Sequence, residues 1–152
     1  MSGIMQILLG AVLQGPLVRG LFGGGSGTNI IDYVNIATIG NASDFGDLTV
    51  ARSEMGACAS STRGVFGGGS SNVIDYVTIA TTGNATDFGD LLNNPYGIAG
   101  CSNETRGLFA GGIIASPLAI INVIQYITIA SAGNAVDFGD LTVSRGRLAA
   151  CS

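Results

Sequence analysis

Lysine, histidine and tryptophan are absent from the 152 residues, and charged residues make up only 11% of them. Without histidine or lysine, nucleophilic catalysis lacks its usual general base, and no lysine is present to form a Schiff base. The net charge is −4 and the six arginines are scattered, whereas nucleic-acid binding needs a clustered positive surface. We therefore expect no enzymatic activity, no cofactor and no nucleic-acid partner.

Long apolar runs are also missing. The apolar stretch 4–13 is interrupted by Gln6 and Gly10 and is shorter than the roughly 20 residues that a membrane-spanning helix needs, so no membrane span is expected. Residues 1–18 carry no copy of the repeat described below and are interpreted as an N-terminal apolar extension, either a docking segment or an extra strand. The docking hypothesis rests on six apolar side chains: Met5, Ile7, Leu8, Leu9, Val12 and Leu13.

Patterns that bind metals are scarce as well. The three cysteines, Cys58, Cys101 and Cys151, occupy the same place in successive repeats. Neither intrachain disulfides nor metal-ligand pairs are expected from this spacing, and the cysteines are interpreted as small buried thiols. The repeated Asp-Phe-Gly-Asp segments hold too few oxygens for a calcium loop. No metal site is therefore predicted.

Three copies of one pattern fill the remaining chain, over residues 19–62, 63–105 and 106–152. Each copy begins with Arg-Gly, passes through Phe into a glycine run, and continues with β-branched residues and Tyr. A Gly-Asn-Ala turn, an Asp-Phe-Gly-Asp-Leu segment and a small-residue segment with the cysteine follow. Self-similarity at this spacing indicates a repeat architecture.

Each copy is predicted to form four short β-strands and no helix, because side chains alternate with period 2 and β-branched residues dominate. Four strands in a unit of 43–47 residues are typical of a β-propeller blade; a β-solenoid is the alternative. Residues 113–120 are an insertion in the third copy, and an extended loop is predicted there.

Aromatic and arginine side chains recur at fixed repeat positions. Two sets of phenylalanines are expected to fill the space between neighbouring blades: Phe22, Phe66 and Phe109, and Phe45, Phe88 and Phe138. The arginines that begin the copies, Arg19, Arg63 and Arg106, are expected to meet an aspartate of an Asp-Phe-Gly-Asp segment, in a structural role.

In strand order, the copy resembles a kelch repeat. The small-residue strand would be innermost, and the Arg-Gly-Val-Phe strand would be second and would end at the glycine pair that marks kelch repeats. Tyr76 stands in the third strand where kelch repeats place an aromatic residue, and Phe88 in the outer strand replaces their usual Trp. The resemblance implies a kelch-like β-propeller. The chain departs from kelch proteins in having three copies rather than six or seven.

The wording of the repeat, over residues 19–152, is similar to kelch-like repeats in structural proteins of tailed bacteriophages, especially cyanophages. This resemblance implies a non-enzymatic virion component, such as a tail, fibre, baseplate or capsid-decoration protein. Such a protein would contact other virion proteins and be assembled in the host cytoplasm.

The alternative function is an adhesive propeller that binds carbohydrate on a host surface. Binding sites on a rigid scaffold usually lie in its loops. The loop residues that this hypothesis selects are Asn93, Asn94, Tyr96 and Pro117.

Three blades are too few to close a propeller, which usually has four to eight. The first copy lacks a small-residue strand before Arg19, and the third ends with one at Leu148–Ser152. The sequence therefore predicts a homodimer that forms a six-bladed ring, in which each Leu148–Ser152 strand completes the first blade of the other chain. Strands from residues 4–13, or a ring of three chains, are the alternatives.

Overall fold

A computed structural model describes residues 18–152, and this part of the chain contains fourteen β-strands and no helix. In chain order the strands are β1 (Arg19–Gly23), β2 (Ile30–Asn35), β3 (Ser43–Asp47), β4 (Met55–Ala59), β5 (Arg63–Gly68), β6 (Val73–Thr78), β7 (Thr86–Asp90), β8 (Pro95–Tyr96), β9 (Ala99–Ser102), β10 (Arg106–Ala110), β11 (Ile113–Ala115), β12 (Leu118–Ile120), β13 (Val123–Thr128) and β14 (Val136–Asp140). The prediction of an all-β fold is confirmed.

The strands form four antiparallel sheets. The first sheet has the order β1-β2-β3, the second β4-β5-β6-β7, and the third β9-β10-β13-β14. In the second sheet the small-residue strand and the Asp-Phe-Gly-Asp strand lie at opposite edges, as the sequence predicts. Each full sheet takes its small-residue strand from the end of the preceding repeat.

Local sequence explains the strand ends and a recurring irregularity. Glycines close β1 and β5, and Gly68 and Gly69 have φ of 84° and 87°, which favours glycine because it has no Cβ. The pairing of β6 with β7 shifts register between Ile74 and Asp75, and Gly89 opposite this bulge has φ of 143°. The same shift occurs in the first and third sheets. The Asp-Phe-Gly-Asp segment is therefore a bulged edge strand, and its glycine accommodates the bulge.

One expectation about strands is wrong. The insertion is not an extended loop, since β11 and β12 form a hairpin that pairs with β8 as the fourth, small sheet. Residues Leu148–Ser152 form no strand in the single chain, where they have no ladder partner; their predicted pairing is with a second chain and stays a prediction. The described chain therefore contains two four-stranded repeat sheets and one three-stranded sheet, which lacks the small-residue strand that the sequence does not supply before Arg19.

The apolar core lies between successive repeat sheets, in two clusters. We call the boundary between the first and second sheets the first junction, and that between the second and third sheets the second junction. Phe45 and Phe66 are buried in the first junction, and Phe88 and Phe109 in the second. Glycines make room for these rings, since a Cβ on Gly67 would lie 3.1 Å from the ring of Phe109. The prediction that the phenylalanines fill the space between sheets is confirmed for these four.

The other two phenylalanines lie on the outer faces of the stack. Phe22 of the first sheet is 61% exposed and Phe138 of the third sheet is 50% exposed, whereas their counterparts in the junctions are nearly fully buried. For these two, the expectation of burial between sheets is not met within the chain. The first and third sheets thus each present one face whose apolar side chains have buried equivalents in the other repeats.

Candidate functional site

The arginines that begin the repeats connect neighbouring sheets. The Arg19 guanidinium lies 4.6 Å from the ring centre of Tyr33 and donates a 2.6 Å hydrogen bond to the carbonyl of Ile79, directly after β6 of the second sheet. Arg63 repeats this with Tyr76 and, at 2.8 Å, with the carbonyl of Ile129, directly after β13 of the third sheet. The prediction that they pair with Asp-Phe-Gly-Asp carboxylates is wrong. Stacking on tyrosine keeps the cation partly desolvated while it bonds a neutral acceptor.

The Gly-Asn-Ala turns hold the outer edges together. In the first junction, Gly83 N–H donates to the Phe45 carbonyl and Ala85 N–H to the Asp47 carbonyl. In return, Asn84 Oδ1 accepts a hydrogen bond of 3.1 Å from the Asp47 N–H. Asn134 makes the same bond to the Asp90 N–H at 3.0 Å in the second junction. These asparagine side chains therefore hydrogen-bond the backbone of the neighbouring sheet.

The first junction contains a buried ion pair that sequence reasoning missed. Arg52, in the loop after β3, is 3% exposed and lies 2.5 Å from a carboxylate oxygen of Asp75, which is fully buried in the second sheet. Thr49 donates to the same carboxylate through its hydroxyl, at 2.6 Å, and its N–H. Burial lowers the pKa of the Arg52 guanidinium, and Asp75 partly offsets this effect. Arg52 also donates to the carbonyls of Gly68 and Val73, so the first sheet is tied to the second through one charged side chain.

The second junction has an uncharged version of this contact. Gln125 stands at the repeat position of Asp75 and is 2% exposed, and its Oε1 accepts a 2.8 Å hydrogen bond from the Leu92 N–H. Leu92 and Pro95 stand at the repeat positions of Thr49 and Arg52. The arginine and the aspartate thus change together between junctions. This paired change was the sequence signal that could have revealed the contact.

The cysteines differ in environment although their repeat positions match. Cys58 is buried in the second junction, Cys101 is half-buried and Cys151 is exposed. Burial raises the pKa of the Cys58 thiol to about 12, with a smaller contribution from Cys101. The expectation of buried thiols is therefore confirmed for Cys58 and is wrong, within the single chain, for Cys151.

Stability is expected to fall in alkaline solution because of Cys58. An unfolded thiol ionises near pH 8.5, whereas the folded one keeps its proton until about pH 12. The contribution is complete below the unfolded pKa and is lost as pH rises toward the folded one, by about 2–3 kcal/mol between about pH 8 and pH 10.5. Urea unfolding at both pH values measures it. Cys58→Ala should flatten the pH dependence and Cys151→Ala should not; equal slopes would contradict the assignment.

The residues selected from the sequence for binding lie elsewhere. The six apolar docking residues, between Met5 and Leu13, fall outside the described residues. Tyr96 is in β8 beside the insertion hairpin, 5.7 Å from the guanidinium of Arg147, and Pro117 is exposed at the hairpin turn. Asn93 and Asn94 lie in the loop just before β8. Because β8 pairs with β11, this loop lies beside the hairpin turn that contains Pro117. Leu118 and Ile120 on the hairpin are exposed.

No cluster of three or more metal-ligating side chains occurs within residues 18–152. In the same part of the chain, no helix is long and apolar enough to cross a membrane. Comparison with protein-family models finds no matching family, and comparison with curated proteins finds no match.

Proposed function

We propose that this protein is a non-enzymatic structural component of a phage virion, built as a kelch-like β-propeller scaffold that completes itself by self-association. The observation that carries the proposal is the recurrence of the junction. The arginine, asparagine and turn contacts of the first junction recur in the second with nearly the same distances. A contact set that recurs between sheets is what a ring of equivalent blades requires.

The outer faces support self-association. Large exposed apolar patches on soluble proteins mark interaction sites, and the outer faces of the first and third sheets carry Phe22, Ile36 and Phe138, each at least half exposed. Completing a six-bladed ring takes two chains. The virion assignment is supported by the resemblance of the repeat wording to phage structural proteins.

Particle composition tests the virion role. Purified particles of the phage that encodes the chain, banded by density, are expected to contain it at a fixed copy number by quantitative mass spectrometry. Antibody-gold labelling would locate it on the tail, fibre, baseplate or capsid. Recovery only outside the particles would contradict the proposal. Glycan-array binding that Tyr96→Ala abolishes would instead support adhesion.

A further inference from the structure

The outer face of the third sheet carries the same residue types that bind Asp75 in the first junction. Thr142 and Arg145 stand at the repeat positions of Thr49 and Arg52, and both are exposed. Within residues 18–152, the ion pairs are Arg52–Asp75 and Arg147–Glu54, so Arg145 joins neither. The third sheet therefore presents a cation and a hydroxyl arranged for a carboxylate that the described chain does not bring to them.

The outer face of the first sheet carries the matching acid. Asp32 stands at the repeat position of Asp75, on β2 and only half-buried. Its neighbours Phe22 and Ile36 are 61% and 64% exposed, whereas Phe109 and Ile129, at the same positions in the second junction, are 0% and 1% exposed. In each junction, one side carries Thr49 and Arg52 or their repeat equivalents, and we call it the donor half. The other side carries Asp75 or its equivalent, and we call it the acceptor half. The outer face of the first sheet is thus an acceptor half, and that of the third sheet is a donor half.

The charges of the two halves are matched in each junction. Where the donor half has Thr and Arg, the acceptor half has Asp, and where the donor half has Leu92 and Pro95, the acceptor half has Gln125. Removing one partner of a buried, hydrogen-bonded charge pair is costly, because the other charge is left unpaired. The Thr142–Arg145 half therefore matches an aspartate face, and on the free surface that face is the one with Asp32.

The backbone beside this face supports the same partner. Ser152 Oγ donates to the carbonyl of Ser102, as Ser102 Oγ donates to the carbonyl of Ala59. Ser152 therefore lies beside Ser102 of β9 as Ser102 lies beside Ala59 of β4. In the first junction, a cleft of about 220 Å³ lies between β1 of the first sheet and β4 of the second, and is lined by Leu21, Ala57 and Cys58 among others. By the register of the other sheets, in which Cys58 and Cys101 pair with Val65 and Leu108, Cys151 belongs opposite Leu21.

We propose that Arg145 and Thr142 of one chain bind Asp32 of a second copy, and that this buried contact selects and registers the joint between third and first sheets. The proposal rests on the self-associating scaffold proposed above. Two chains related by a two-fold axis make two such joints, and each adds Leu148–Ser152 to the free edge of the other chain's β1. A third-to-third or first-to-first contact would leave these charges without opposite partners, so the charge pair selects the third-to-first joint.

Charge reversal and mixing test this contact. The unaltered chain is expected to sediment at twice its 15.2 kDa mass at tens of micromolar. Arg145→Asp and Asp32→Arg each place like charges in both joints, and each should weaken self-association about 100-fold or more. An equimolar mixture of the two variants should associate again, one chain of each, because both joints then pair opposite charges. A folding defect cannot produce this mutual rescue.

Arg147→Asp is the matched control, since it makes the same charge change two residues away at a side chain paired with its own Glu54; its association should change less than about twofold. If circular dichroism shows that a reversal unfolds the chain, Arg145→Gln and Asp32→Asn replace the pair, each with an expected loss of about 30-fold. If the unaltered chain is monomeric, the proposal is overturned. This holds whether residues 1–17 of the same chain cover these faces or the faces stay exposed. Association that neither position affects also overturns it.

This outcome is separate from that of the virion test. If the two variants rescue each other but purified particles lack the protein, the virion role alone is rejected. If particles contain the protein but substitutions at Asp32 and Arg145 do not change its association, the contact alone is rejected.

Discussion

Replacing Arg52 with alanine is expected to lower the free energy of unfolding by about 3–5 kcal/mol. The substitution leaves the Asp75 carboxylate, which is fully buried, without its cation, and among residues 18–152 only Thr49 still donates to it. The carbonyls of Gly68 and Val73 also lose a donor. Urea unfolding followed by circular dichroism, at a concentration where the chains are separate, measures the change.

Arg147→Ala provides the comparison, because its ion pair with Glu54 spans 3.4 Å and is largely exposed; the expected change is at most about 1 kcal/mol. The double variant Arg52→Met/Asp75→Asn should lose less than Arg52→Ala, since it leaves no buried charge and keeps an amide oxygen for Thr49, as Gln125 supplies one in the second junction. Equal losses from Arg52→Ala and Arg147→Ala would show that the buried pair does not hold the first junction.

Replacing Phe109 with alanine is expected to cost about 3–5 kcal/mol of folding free energy. The ring is fully buried in the second junction, and a Cβ on either Gly56 or Gly67 of the second sheet would lie 3.1 Å from it. The facing backbone is therefore shaped around the ring and cannot easily collapse into the cavity. The midpoint and slope of chemical unfolding report the loss.

Phe22 offers the same substitution at the same repeat position but on the 61% exposed outer face. In dilute protein Phe22→Ala should cost less than about 1 kcal/mol, because surface side chains contribute little. At concentrations that favour assembly it should weaken association instead. A loss for Phe22 as large as that for Phe109 at low concentration would mean that the outer face is already covered within the chain.

Strand positions and their order were predictable because they depend on local sequence. Alternation along Val73–Thr78, the glycines after Phe66 and the repeated Asp-Phe-Gly-Asp segment each set backbone conformation within a few residues. Three copies of the pattern reinforced one another, so the edge strands were assigned correctly. The insertion escaped because its pairing partner, Pro95–Tyr96, lies in a segment too short to be recognised as a strand.

The partners of charged side chains were not predictable in the same way. Arg63 was expected to meet a carboxylate, but it stacks on Tyr76 and bonds the carbonyl of Ile129. Sequence reasoning missed Asp75, which is among the most deeply buried side chains. Both outcomes depend on which groups the neighbouring sheet brings within hydrogen-bond distance.

By itself the sequence determined the all-β fold and the strand order of each repeat sheet, since period-2 alternation and turn residues act along the chain. Only the tertiary structure decided that Cys58 is buried while Cys151 is exposed, and that Arg52 is matched to Asp75 while Arg145 lies on an outer face. Residues at one repeat position have similar neighbouring sequence and therefore similar local structure. Their surroundings differ because burial and pairing come from the sheet that packs against them, and the outer faces have no such sheet within the described chain.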